Sequence, residues 1–156
     1  MKKISYVLNI LILTAVLAMI GCGDDDSSGP TVTEQQLSAL VGIWAPTNGD
    51  ASVTLGGGGN DAPGDWSNFS ITFSSAQAAS VSNVPGEVIG MFAFNSFDFS
   101  NESLENIGLT FGADAATVQV NSTTNIILNF TLEDGGTLGG RTSSVQGNWS
   151  FDLTKQ

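Results

Sequence analysis

The sequence predicts an all-β protein, an antiparallel meander that forms a small barrel, with a β-sandwich as the alternative. Three observations predict this fold. Apolar and polar residues alternate with a period of two over much of the chain after residue 66. Short clusters of Gly, Asn, Asp and Ser separate these stretches at the spacing of turns. A helical pattern is confined to one short segment, so the βαβ spacing of a parallel sheet is missing.

The N-terminus predicts a secretory signal peptide over residues 1–21. Met1, Lys2 and Lys3 form a basic start, and an apolar stretch follows over residues 4–20. That stretch is short for a membrane span, and it ends in Gly-Cys instead of a basic stop-transfer cluster. Residues 18–22, AMIGC, resemble a lipobox, which implies cleavage before Cys22 and attachment of lipid, including palmitate, to its thiol. Two or three acyl chains on Cys22 would give a durable membrane anchor.

Residues 22–32 are predicted to be an acidic flexible tether. They contain Asp24, Asp25 and Asp26 among Gly, Ser and Pro, which cannot bury apolar surface. An acidic run directly behind a lipidated cysteine also resembles the surface-export signal of Bacteroidetes lipoproteins. The expected location is therefore the cell envelope, as an outer-membrane lipoprotein facing either the periplasm or the exterior. Cys22 is the sole cysteine, so an intramolecular disulfide is impossible.

Residues 33–156 are expected to form a single β domain that begins with a short helix. Thr33 and Gln36 fit a capping box ahead of Leu37 and Leu40, and the helix is expected to end near Gly42. Long loops are predicted at residues 56–65 and 76–86, which contain Gly, Ala and Pro and show weak periodicity.

The strands are predicted from alternating apolar side chains. Residues 88–94 are apolar on both faces and are expected to form a strand buried on both sides. The inward-facing residues of the other strands are predicted to be Phe69, Ile71 and Phe73; Phe97 and Phe99; Ile107, Leu109 and Phe111; Val118 and Val120; Ile126, Leu128, Phe130 and Leu132; and Val145, Gly147, Trp149, Phe151 and Leu153.

Two motifs resemble those of a known family. The sequence Leu40-Val41-Gly42-Ile43-Trp44 resembles the start of lipocalin-like domains, and a final Gly-x-Trp-x-Phe-x-Leu strand over residues 147–153 is similar to that of exported Bacteroidetes lipoproteins. The resemblance implies structural roles for Gly42, Trp44 and Trp149, with Trp44 closing one end of the barrel. It also implies a basic residue over Trp44, either Arg141 or Lys155. The alternative is that the tryptophans are simply large core residues.

Composition excludes several function classes. After removal of the signal peptide, two cations remain against fifteen acidic residues, a formal charge of −13. Nucleic-acid binding and docking on anionic lipid require clustered cations and are excluded. The chain has no histidine, which removes Ser-His-Asp and Cys-His catalysis and histidine-based zinc sites. The glycine run at residues 56–59 lacks the Lys-Ser/Thr of a phosphate loop.

Carboxylates are the remaining chemistry. Asp98, Asn101, Glu102 and Glu105 form the candidate metal site, because calcium prefers oxygen ligands, and the alternative is a solvated acidic loop. A second acidic cluster is formed by Asn60, Asp61 and Asp65. No cofactor is otherwise expected.

The expected function is a non-enzymatic, monomeric, lipid-anchored envelope protein that binds a small apolar ligand or a protein partner. The first alternative is an interaction module of a surface complex with a filled core. The second is a carboxylate-based glycan hydrolase, although no carboxylate pair is singled out.

Overall fold

The structure is a computed structural model, and it describes residues 29–56, 62–86, 94–112, 114–132 and 147–156. In this part of the chain it has one α-helix, α1, and a single turn of 3-10 helix at Gly49–Ser52. The strands carry most of the remaining residues. The bounds are α1 Val32–Leu40, β1 Gly42–Pro46, β2 Val53–Leu55, β3 Ser70–Phe73, β4 Ala79–Ser82, β5 Asp98–Phe99, β6 Asn106–Phe111, β7 Asp114–Ser122, β8 Asn125–Leu132 and β9 Gly147–Lys155.

All nine described strands belong to one antiparallel sheet with the order β4-β3-β1-β9-β8-β7-β6-β5. β1 pairs with the C-terminal part of β9 and β2 with its N-terminal part, so β1 and β2 form one interrupted strand. The sheet curls into a half-barrel. The segments just before the edge strands β4 and β5 contact each other at one isolated bridge between Ala78 and Ser96, where Ala79 N–H donates to Asn95 O at 2.6 Å and Phe97 N–H donates to Gln77 O at 2.9 Å.

This architecture confirms the predicted fold class. The protein is mostly β with one short helix, and its curled meander is consistent with an all-β lipocalin-like fold. Because every described strand lies in one continuous sheet, the layout differs from the two separate sheets of a sandwich.

The half-barrel has two different ends. The end that carries α1, which we call the helix end, has the short connections β3–β4 at 74–78, β5–β6 at 100–105 and β7–β8 at 123–124. The opposite end, which we call the loop end, has the longer connections β2–β3 at 56–69, β4–β5 at 83–97 and β8–β9 at 133–146. The short β6–β7 connection at 112–113 also lies at the loop end, because Phe111 pairs with Asp114 there.

The predicted inward faces are confirmed for most strands. Alternate residues of β3, β6, β8 and β9 are buried, in agreement with the two-residue period, and the set includes Phe69, Ile71, Phe73, Ile107, Leu109, Phe111, Ile126, Leu128, Phe130, Trp149, Phe151 and Leu153. Val118 is buried on β7, whereas Val120 and Leu132 are only partly buried. Val145 and, apart from Phe94, the strand predicted at 88–94 lie outside the described residues.

The predicted loop at residues 76–86 is wrong in part, because it contains β4. The strand sequence Ala-Ser-Val-Ser has no large apolar residue to reveal a buried face. It forms because its backbone pairs with β3 along four successive positions, from Ser70–Ser82 to Phe73–Ala79. Backbone pairing to an already formed neighbour needs no strong side-chain pattern.

The predicted helix cap is also wrong by two residues. Thr31 is the N-cap, and Glu34 completes the capping box, with Thr31 N–H donating to Glu34 Oε2 at 2.7 Å and Glu34 N–H donating to Thr31 Oγ1 at 3.2 Å. Gln36 cannot serve the cap because its side chain is buried. Its Nε2 donates to Asn101 O at 2.8 Å and Ser103 O at 2.9 Å, which fixes α1 to the β5–β6 connection.

Candidate binding surfaces

Trp44 closes the barrel at the helix end. Its side chain is fully buried, and its indole N–H donates to Leu40 O at 2.7 Å, at the last residue of α1. Lys155 Nζ lies 5.3 Å from the centroid of the Trp44 ring, at a distance suited to a cation–π contact. Of the two cations expected near Trp44, Lys155 therefore occupies the position, and Arg141 lies outside the described residues.

Gly42 makes this contact possible. Its φ is +144°, and a Cβ at this position would lie 2.5 Å from Cε of Lys155. Any other residue would therefore combine a disfavoured backbone conformation with a collision against the lysine side chain. Gly42, Trp44 and Lys155 form one structural unit at the helix end.

Aromatic rings fill the interior of the barrel around Trp149. Trp66 lies between three neighbours, with ring centroids 5.2 Å from Phe69, 5.2 Å from Phe151 and 5.7 Å from Trp149. Phe130 stacks on Trp149 at 6.3 Å. These side chains are at most 9% exposed. Edge-to-face and offset contacts at these distances are characteristic of a packed aromatic core.

Sequence reasoning gave Trp66 no individual role. The surrounding residues have no regular alternation, because Trp66 reaches the core from the β2–β3 connection and not from a strand. Its backbone N–H donates to the Asp50 carboxylate, and its indole N–H donates to Pro63 O at 3.1 Å. The contact with Asp50, in the 3-10 turn, could not be inferred from the sequence pattern.

A small recess opens at the loop end. Its volume is about 50 Å³, and three aromatic residues, Phe94, Phe111 and Phe130, line it. The Phe94 ring lies 4.7 Å from Phe111 and 5.6 Å from Phe130 between centroids. Ligand pockets usually measure about 300–1,000 Å³, so this recess suits an inserted side chain better than a complete ligand.

The residues of the candidate calcium site organise the β5–β6 connection. Asn101 Oδ1 accepts from Ser103 N–H at 3.2 Å and from Gly108 N–H at 3.1 Å, and its Nδ2 donates to Asn106 O at 2.9 Å. Asp98, Glu102 and Glu105 are exposed on β5 and in the connection. Within the described ranges, no group of three or more Asp, Glu, His or Cys side chains is placed to hold a metal.

Two exposed carboxylates have altered acidity. Hydrogen bonds from the backbone and side chain of Thr31 lower the pKa of Glu34. Hydrogen bonds from the side chain and backbone of Ser67 lower the pKa of Asp65. Both shifts arise from local contacts, the helix cap at Thr31 and the turn at Ser67.

Cys22, Asn60 and Asp61 lie outside the described residues. The helix of the described part is too short and polar to cross a membrane. No family model matches the chain, and neither a curated protein nor a solved structure resembles it significantly.

Proposed function

We propose that this protein is a lipid-anchored, non-enzymatic protein of the cell envelope that binds a protein partner through its loop end. The observation that supports this proposal is the aromatic packing in the described part of the interior, where Trp66, Trp149 and Phe151 occupy space that a ligand carrier of this shape would leave open. Binding would then use the outer surface of the domain.

The position of the anchor favours the loop end as the binding surface. Six residues separate Cys22 from Gly29, where the described chain begins next to α1. This length spans at most about 25 Å, so lipid on Cys22 keeps the helix end near the membrane. The loop end then points away from the bilayer, towards either the periplasm or the exterior.

The loop end also has the features of a binding surface. It carries the long connections, and binding residues are often found on loops positioned by a rigid sheet. The half-buried Phe94 lines the recess together with Phe111 and Phe130. An aromatic recess that accepts one side chain of a partner is a common anchor at protein interfaces.

Site-specific photocrosslinking in the living cell tests this proposal. A photoreactive phenylalanine analogue is placed at Thr131 or Asn148, exposed at the loop end, or at Thr123 or Ser75, exposed at the helix end. We expect a discrete protein adduct from the loop-end positions and none from the helix-end positions. Adducts of equal yield from both ends, or none from the loop end, would refute the proposal.

The anchor has its own test. Radiolabelled palmitate should label the wild-type chain, and the label should be absent from Cys22→Ala, because no other cysteine can accept lipid. Mass spectrometry of the mature N-terminus should show an acylated Cys22. An unmodified cysteine, or a chain that starts elsewhere, would contradict the lipoprotein assignment.

A second candidate function is binding of a small apolar ligand at the loop end, with only part of the ligand inserted into the recess. Native mass spectrometry of the protein released from its own membrane distinguishes the two. A stoichiometric small ligand that is lost in Phe111→Ser and retained in Leu104→Ser, on the exposed opposite end, would favour the ligand carrier. The partner proposal predicts the mass of the acylated chain alone.

A further inference from the structure

A larger groove lies on the outside of the helix end, separate from the barrel interior and from the loop end. Its volume is about 410 Å³, and it runs between α1 and the hairpin of β7 and β8. Ala39 and Val120 contribute apolar surface, Ser38 and Ser122 contribute hydroxyl groups, and Lys155 contributes a cation. This volume lies within the range of about 300–1,000 Å³ for small-molecule sites.

Lys155 has no counter-ion in the described part of the chain. The protein has fifteen acidic residues, yet Lys155 forms no ion pair with any carboxylate that the structure describes. The Lys155 ammonium instead lies over the Trp44 ring. Gly42, which has no side chain, leaves room for the methylene groups of the lysine. Among the described residues, the fold thus places a positive charge in a groove where no carboxylate pairs with it.

Glu34 lines the same groove and carries negative charge. Its Oε2 accepts from Thr31 N–H at 2.7 Å and from Thr31 Oγ1 at 2.9 Å, so this carboxylate serves the helix cap. The capping contacts direct Glu34 towards the start of α1, and none of the described carboxylates pairs with Lys155.

We propose that the groove binds an amphipathic carboxylate with a short hydrocarbon tail. The carboxylate pairs with the Lys155 ammonium, with Ser38 and Ser122 as hydroxyl donors, and the tail covers Ala39 and Val120. The neighbouring apolar surface excludes water and strengthens the ion pair relative to one fully exposed to solvent. The proposal is independent of the partner at the loop end.

Octanoate is the probe, and the full lipid-anchored chain in nanodiscs of zwitterionic lipid is the sample. Removal of the signal peptide leaves Lys155 as the single lysine, so reductive methylation with ¹³C-formaldehyde gives one lysine resonance. We expect octanoate to shift this resonance saturably. Octanol and acetate, which supply only the tail or only the charge, should give little shift at the same concentrations.

A matched pair of variants locates the site. Ser38→Trp fills the groove and should weaken octanoate binding by about tenfold or more. Ser75→Trp, at an exposed position of the β3–β4 connection, should bind as the wild type does. Equal melting midpoints of the two variants ensure that loss of binding reflects the groove. Unchanged binding by Ser38→Trp, or equal shifts with octanol or acetate, would overturn the proposal.

The acidic tether of the same chain is the competing occupant. The triple variant Asp24→Asn, Asp25→Asn, Asp26→Asn should leave the unliganded lysine resonance where it is. If the resonance moves to a new position without ligand, and octanoate binds only to this variant, the groove belongs to the tether and the proposal is wrong.

Discussion

At Gly42 a side chain would meet both a disfavoured backbone conformation and the end of the Lys155 side chain. The backbone φ of +144° and the 2.5 Å approach of a Cβ to Lys155 Cε are separate penalties. We expect Gly42→Ala to lower the free energy of unfolding by about 1–3 kcal/mol from backbone strain alone, with a further loss from the displaced lysine. Urea denaturation measures the change.

Gly112→Ala is the matched control for this prediction. Gly112 also has a positive φ, +65°, but a Cβ there would meet no atom within 4 Å. Gly112→Ala should lower the free energy of unfolding by about 1–2 kcal/mol, which is less than the loss expected for Gly42→Ala. Replacing Lys155 by Ala in the Gly42→Ala background should recover part of the difference. If stability does not recover, the collision with Lys155 does not contribute to the destabilisation by Gly42→Ala.

Glu34 predicts a pH dependence at the start of α1. Hydrogen bonds from Thr31 lower its pKa below the usual 4.5 in the folded state. The stabilisation is therefore complete above about pH 4.5 and is lost as the pH falls through the lower folded pKa. Amide hydrogen exchange of the first turn should accelerate below pH 4.5 in the wild type. Glu34→Gln should lack this acid-dependent acceleration of exchange. If the acceleration persists in Glu34→Gln, it arises from the titration of another group.

Among the elements, α1 depends on one buried amide for its position. Gln36 is 1% exposed and donates to the carbonyls of Asn101 and Ser103. Gln36→Met removes both hydrogen bonds and leaves two carbonyls without their donor, which costs about 1–3 kcal/mol. Chemical denaturation should report this loss, together with faster hydrogen exchange in α1.

Gln35→Met is the control for Gln36. The Gln35 amide is exposed and donates to Pro30 O at 2.8 Å, so water can replace its contact. A change within about 0.5 kcal/mol is expected. Equal losses for the two variants would mean that burial of the Gln36 amide is not what holds the helix in place.

The elements also show where sequence reasoning succeeds and where it fails. β6, β8 and β9 could be predicted because each alternates large apolar residues with polar ones, as in Ile107, Leu109 and Phe111. β4 was missed because its Ser-rich sequence carries no such signal, and its pairing with β3 is set by the backbone. The cap was misplaced because two Thr-x-x-Glu/Gln patterns overlap, and only burial of Gln36 distinguishes them.

At the scale of the whole molecule, the aromatic packing of the described interior makes a testable prediction about stability. Trp149 is 1% exposed and contacts Trp66, Phe130 and Phe151. Trp149→Ala should lower the free energy of unfolding by about 3–5 kcal/mol, because the space cannot collapse fully. Leu104→Ala, at a side chain 42% exposed, should change it by about 0.5 kcal/mol or less.

A hollow barrel would respond differently. If Trp149 lined an open ligand cavity, its side chain would make fewer packing contacts. Truncation to Ala would then remove little stability, and Trp149→Ala and Leu104→Ala would have similar free energies of unfolding. Acrylamide quenching gives an independent check, since Trp44, Trp66 and Trp149 are all nearly inaccessible. Efficient quenching of the wild-type protein in buffer would contradict the packed interior.

The sequence by itself determined the fold class, because the two-residue alternation of β6, β8 and β9 requires one buried face of an antiparallel sheet. Its composition also argues against nucleic-acid binding, because cations are scarce, and supplies no histidine for catalysis or zinc binding. Tertiary structure alone decided that rings from distant segments, Trp66 of a connection and Phe151 of β9, fill the barrel. It likewise placed Lys155 above Trp44 and in the groove beside α1. Such long-range packing depends on register and chain path, and neither is encoded in a local pattern.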